Sequence, residues 1–201
     1  ITTGDFNVAV GFEALKTEDA NGRNIAVGYQ ALKTLNAGAD SESVAVGYLA
    51  GLSLTTGIDN VIIGGRAGDA LTDADFNVAV GRGALTTDTK GNKSVAIGTQ
   101  ALATQNFTSS TDSFNTAVGY FAGNAITTGV KNVLMGGNAG DALTDADFNV
   151  AIGHLALTAD TLGSRSVAIG RAALNAQNFT SATDSYNVAV GDAAGGAVTT
   201  G

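Results

Sequence analysis

The sequence predicts an all-β fold of the repeat β-solenoid class, and three observations carry that prediction. A phrase of the form Asn/Ser-Val-Ala-Val-Gly recurs eleven times, starting at Asn7, Asn24, Ser43, Asn60, Asn77, Ser94, Asn115, Asn132, Asn149, Ser166 and Asn187. The intervals are 17, 19, 17, 17, 17, 21, 17, 17, 17 and 21 residues, too short for a strand, a stable helix and two loops. Inside the phrase, β-branched residues alternate with alanine at the strand period of two, next to a glycine. Each of the eleven coils is therefore expected to hold two short strands joined by tight turns. Stacked about 4.8 Å apart, such coils span on the order of 50 Å.

A longer period lies above the coil. Gly68 to Asn77 returns residue for residue as Gly140 to Asn149, which is 72 residues later. Four coils therefore make one unit, and the chain reads as a single solenoid segment, 1–201, cut from a longer array. Its super-repeats fall at approximately 7–76, 77–148 and an incomplete 149–201.

Along the coil, the Asn/Ser position is expected to bond neighbouring backbone and to form a ladder along the axis. The two β-branched positions and the alanine between them should face opposite sides of a strand. The phrase ends in glycine in every copy, at Gly11, Gly28, Gly47, Gly64, Gly81, Gly98, Gly119, Gly136, Gly153, Gly170 and Gly191. That column fits a structural turn with positive φ or a close backbone approach. Three residues on, alanine is unvarying from Ala14 to Ala194, which implies a tight space. The phrase alanines, broken only by Ile62 and Leu134, suggest a smooth face for chain-to-chain packing, with those two as plugs on a shared axis.

Composition narrows the function. Proline is absent, so no residue lacks a ladder donor, and cysteine is absent, which removes disulfides, thiol catalysis and cysteine-held metals. The net charge of −8 argues against nucleic acid, which needs a basic stripe. No apolar run approaches membrane-spanning length, so no membrane insertion is expected of this segment.

Ser94-Val95-Ala96-Ile97-Gly98 and Ser166-Val167-Ala168-Ile169-Gly170 resemble the head repeats of trimeric autotransporter adhesins. The longer Asn24-Ile25-Ala26-Val27-Gly28-Tyr29-Gln30-Ala31-Leu32 is similar to repeats of phage tail fibres. The resemblance covers essentially the whole chain and implies a left-handed parallel β-roll, a homotrimer, and an extracellular place on a virion or cell-surface appendage. The expected function is a fibre shaft presenting a receptor-binding tip, in a phage tail fibre or, alternatively, a bacterial trimeric adhesin head.

Candidate chemistry is sparse, and neither enzymatic activity nor a cofactor is expected. His154 is the single histidine, with no partner for a triad or a zinc site. Asp69, Asp73 and Asp75, repeated as Asp141, Asp145 and Asp147, lack the spacing of a calcium loop and read as solvated turns. Gly64-Gly65-Arg66-Ala67-Gly68 has no following Gly-Lys-Ser/Thr and is no phosphate loop. Phe6, Phe76, Phe114, Phe148 and Tyr186 each precede a phrase Asn and are expected to cover the coil edge and pack on one another rather than stack on sugars. A glycan-degrading solenoid would need a carboxylate pair in a groove. An ice-binding solenoid would need a continuous threonine face, whereas the Thr-Thr-Gly turns at Thr2, Thr55, Thr127 and Thr199 come once per super-repeat. The two 21-residue coils carry Ser/Thr-rich segments that should protrude and could be shortened without loss of stability. Asn106, Phe107 and Asp112, with Asn178, Phe179 and Asp184, are the candidate contacts there for a cell-surface glycan or receptor.

Overall fold

The computed structural model describes residues 6–18 and 22–201; the turn at Thr2 lies outside them. It is a parallel β-solenoid of about eleven coils, with no helix among the described residues. The strands are β1 (Val8–Val10), β2 (Ile25–Val27), β3 (Val44–Val46), β4 (Val61–Ile63), β5 (Val78–Val80), β6 (Gly91–Asn92), β7 (Val95–Ile97), β8 (Thr111–Asp112), β9 (Thr116–Val118), β10 (Val133–Met135), β11 (Val150–Ile152), β12 (Gly163–Ser164), β13 (Val167–Ile169), β14 (Thr183–Asp184) and β15 (Val188–Val190). The eleven phrase strands form one parallel sheet in chain order, each phrase residue level with its copy in the next coil.

Two strands per coil were expected from the period, and most coils have one. The wall opposite the sheet is built from turns, because residues two and four places after the phrase glycine sit at positive φ. In the Asn24 coil these are Gln30 (φ 55) and Leu32 (φ 46), with Arg23 before the phrase at φ 66 and Gly28 at φ 141. Every coil repeats this set of four, so 27 non-glycine residues among those described adopt a conformation that usually holds a few per cent. The cost, of order 1 kcal/mol or more each, is offset by bonding between coils. Gln30 N–H donates to Phe12 O at 2.8 Å and Leu32 N–H to Ala50 O at 3.0 Å, so the turn wall is laddered without being a sheet. Among the described residues, second-wall strands form only where a 21-residue coil meets the 17-residue coil before it, β6 pairing with β8 and β12 with β14.

The core is the inside of each coil. The phrase alanines from Ala26 to Ala168 are fully buried there, facing leucines of the turn wall. This corrects the expectation that they form a face between chains. Ile62 and Leu134 are interior as well, and glycines explain their size. Most coils with a phrase alanine carry Leu at the fourth place after the glycine, as at Leu32 and Leu85. Around Ile62 that place is Gly51 and Gly68, whose added Cβ would lie 3.0 and 3.5 Å from Ile62 side-chain carbons. Around Leu134, Gly123 and Gly140 would meet the leucine at 2.7 and 2.8 Å. Bulk moves from one wall to the other, and the four-coil period is this exchange.

The Asn and Ser of the phrase from Asn24 to Ser166 lie buried at the corner of the coil. Asn77 N–H donates to Asn60 Oδ1 at 3.0 Å and Ser94 N–H to Asn77 Oδ1 at 2.9 Å, a ladder parallel to the axis. The Asn77 amide also crosses the interior to Gly91 O at 2.8 Å, tying the two walls together.

Candidate functional site

With alanine turned inward, the strand period of two turns both β-branched columns outward. The eighteen large apolar side chains exposed among the described residues fall in four adjacent columns. These are the residue before the phrase, its two β-branched positions, and the residue after its glycine. Within the two central columns there is no charge; the least apolar member is Thr116. The result is an apolar stripe running the length of one side of the solenoid.

Aromatic and charged residues rim the stripe. On the glycine side, Phe12, Tyr29 and Tyr48 stack coil on coil at 5.2 and 5.5 Å, and the Arg66 guanidinium lies 5.9 Å from the Tyr48 ring. On the other side Glu42 and Asp59 follow Arg23, and from Phe76 onward rings alternate with cations. Lys93 lies 5.3 Å from the Phe114 ring, Lys131 5.0 Å and Arg165 4.6 Å from that of Phe148. Those rings therefore make no ring–ring contact among the described residues; cations separate them.

Between each 21-residue coil and the coil before it lies a buried network that composition and spacing gave no sign of. Asp88 is fully buried; its Oδ1 accepts Gly91 N–H and Phe107 N–H, both at 3.0 Å, and its Oδ2 accepts the Gln105 amide at 2.6 Å. Gln105 also donates to Ser94 Oγ at 2.9 Å and accepts from Asn115 Nδ2 at 2.8 Å. The set recurs at Asp160, Gln177 and Ser166, with Asn187 donating to Gln177 at 2.8 Å. Every donor and acceptor serves the fold, and the network opens to no cavity among the described residues. The signal lay in the core register: Asp88 and Gln105 occupy the place that Leu54 and Leu71 hold in other coils.

This network narrows the expectation of protruding loops to part of each segment. Phe107 is 6% exposed, drawn in by Asp88 at its N–H, while Phe179 is half-buried. Asn106 accepts from Thr89 at 3.2 Å and Asn178 from Thr161 at 3.1 Å. Asp112 pairs with Lys93 at 2.5 Å, which lowers its carboxyl below the usual range, and Asp184 pairs with Arg165 at 3.0 Å. What remains outward is Thr108 to Ser110 and Asp112, and in the copy Asn178, 180–182 and Asp184.

The remaining candidates resolve into structure. Asp75 Oδ1 accepts Ile58 N–H at 2.8 Å, Asp73 accepts Thr56 at 2.8 Å and Asp69 accepts Thr86 at 2.5 Å, three separate partners. Among the described residues no three His, Cys, Asp or Glu side chains gather as a metal site. His154 is exposed. Once coils are aligned on the phrase glycine, a threonine column does exist, unseen in the one-dimensional spacing: Thr55, Thr72 and Thr89, then Thr127, Thr144 and Thr161. Its hydroxyls are committed to the coil ahead, as Thr72 Oγ1 to Thr89 O at 3.0 Å and Thr144 Oγ1 to Thr161 O at 3.0 Å.

Comparison with known proteins finds no matching family model, curated protein or solved structure.

Proposed function

We propose that this segment is part of the shaft of a surface-exposed fibre, built from three identical chains side by side, and that its role is structural rather than catalytic. The observation that carries this reading is the continuity of bonding from coil to coil. On the sheet wall, the turn wall and the Asn/Ser corner, each level bonds to the next, from Val8 N–H to Asn24 O through to Val167 N–H to Asn187 O, both at 2.8 Å. A body bonded along its axis on every wall is a stiff spacer, and the described residues offer neither a pocket nor a metal cluster for chemistry. The likeness of its repeats to phage tail fibres favours a phage appendage, with an adhesin shaft as the bacterial counterpart. Contact with a glycan or receptor falls to the outward loop residues Thr108 to Ser110 and their copy, weak per site and strengthened by repetition. Sedimentation velocity tests the assembly: the reading requires an elongated particle of three 19.9 kDa chains at micromolar concentration. A 19.9 kDa monomer would overturn it.

A further inference from the structure

We infer that the rim on the glycine side of the stripe holds two notches one ring high, at Gly65 and Gly137, and that each seats a neutral pyranose ring of a glycan. The choice of an extracellular ligand rests on the fibre reading. The site is new to it, and stands apart from the loops of the 21-residue coils.

The position after the phrase glycine presents one side chain per coil. From Phe12 to Tyr29 to Tyr48 the ring centres are 5.2 and 5.5 Å apart with planes within 20°, close to the rise of a coil, so the ring faces point along the axis. The next level is Gly65, where an added Cβ would meet nothing within 4 Å. One face of Tyr48 is therefore open except for Arg66, whose guanidinium lies 5.9 Å from the ring centre. Arg82 follows two levels above Tyr48, about 10 Å along the axis. That height admits one flat ring. The step recurs 72 residues later as Tyr120, Gly137 and His154, and His154 Cδ2 would lie 3.4 Å from a Cβ on Gly137. Tyr48 and Tyr120 are 52% and 60% exposed, so both floors are open to solvent.

The walls choose the ligand. Arg82 and His154, which roof the notches, have no side-chain partner among the described residues. Each of the other four arginines has an acid. Beside each floor a donor is paired with a carboxylate, Arg66 with Asp69 at 3.8 Å and Asn138 with Asp141 at 2.7 Å. Between the two notches charge is not kept, since His154 stands for Arg82 and Asn138 for Arg66. An aromatic face, planar N–H donors and a carboxylate acceptor are kept. A ligand recognised by its charge would therefore meet two different sites. A neutral pyranose meets one kind: C–H groups line its faces, and its hydroxyls donate to the carboxylate and accept from the nitrogens. An aromatic side chain of a partner protein fills the height but offers nothing to the carboxylate. The notches lie four coils apart, about 20 Å, so a glycan-coated surface engages both and gains by repetition. On the rim, they stay at the outer edge of the contact between chains in the proposed shaft.

Filling the notches tests this. Neither glycine has a positive φ and both have room for a side chain, so Gly65→Tyr with Gly137→Tyr should complete the row without lowering the melting temperature. Saturation-transfer difference NMR of the full chain with lactose, cellobiose and maltose should show transfer to the ring C–H protons of at least one sugar, with shifts in the Tyr48 and Tyr120 ring signals. The filled variant should show at least tenfold less transfer. No transfer to any of the three sugars overturns the inference, as does transfer that survives filling. If the surviving transfer is lost when Thr108, Ser109, Ser110, Thr180 and Ser181 are replaced by alanine, the glycan sits on the loops and the fibre reading stands. N-acetyltyrosine amide binding in place of the sugars, at lower concentration, makes the notch a seat for a protein side chain and also overturns the inference. A parent that binds sugar in the notches yet sediments as a monomer overturns the fibre reading alone.

Discussion

Two adjacent glycines show how local the constraints are. Gly64 has φ 130, and a Cβ there would lie 2.6 Å from Gly81 O and 2.7 Å from its carbon, so the next coil cannot stack without moving. At Gly65 nothing lies within 4 Å of an added Cβ. Gly64→Ala should lower stability by about 3 kcal/mol or more, and Gly65→Ala should change it by less than about 0.5 kcal/mol; thermal melts of the pair compare them directly. The first glycine was legible from its recurrence. The other three positive-φ columns were not, because they are filled by residues such as Gln100 (φ 57) and Lys93 (φ 58), which carry no signature of that conformation. Relief is therefore available: Gln100→Gly, matching Gly83 one coil earlier, should raise stability by up to about 1 kcal/mol. Charge acts at this scale too. Lys16, then Lys33 and Gln30, hold the Glu13 carboxyl at about 2, below its ordinary 4.5. The folded value is the lower one, so this contribution is complete above pH 4.5 and is lost as pH falls toward 2. Carboxyl NMR titration should find Glu13 ionised at pH 3.5, and Lys33→Met should move its midpoint upward.

The single coil is the element of this fold, and its length is less free than its spacing suggests. Counting residues between phrases marks the 21-residue coils as insertions. It does not show that Phe107 N–H ends on a buried carboxylate, since Asp88 lies in the preceding coil. Trimming those coils to 17 residues would strip Asp88 of a donor and expose the network, so a marked fall in melting temperature is expected. A carboxylate swap probes the network without changing length. Asp88→Asn alone sets two amide donors against each other across the 2.6 Å contact with Gln105, at a cost of about 1–3 kcal/mol. Adding Gln105→Glu restores an acceptor for both residue 88 and Asn115 and should recover much of that loss. A double variant no better than the single would mean that the hydrogen-bond assignment is wrong. The phrase alanines were legible as small but not as inward, because alanine suits a close contact between chains as well as a narrow interior. The glycines facing Ile62 decide it, and Ile62→Ala should open a cavity costing about 2–5 kcal/mol.

For the whole molecule, repetition made the solenoid, its coil number and its parallel stacking readable before any coordinates, since any other fold would break the eleven-fold recurrence. The outward face of the phrase strand was misplaced by one residue. Strand alternation separates alanine from its β-branched neighbours but does not say which faces out, and that choice depends on leucines and glycines six or eleven residues away in the coil wall. With the choice made, all the exposed large apolar groups among the described residues fall on one side, which the proposed assembly of three chains would cover. The most direct measurement is sedimentation equilibrium of the parent chain beside an Ile63→Lys, Ile97→Lys variant, which changes two exposed side chains of the stripe and none in the core. The parent should weigh three times 19.9 kDa, and the variant should fall toward a single chain while keeping its β-sheet circular dichroism. A parent of 19.9 kDa, or a variant that assembles as the parent does, would contradict the account.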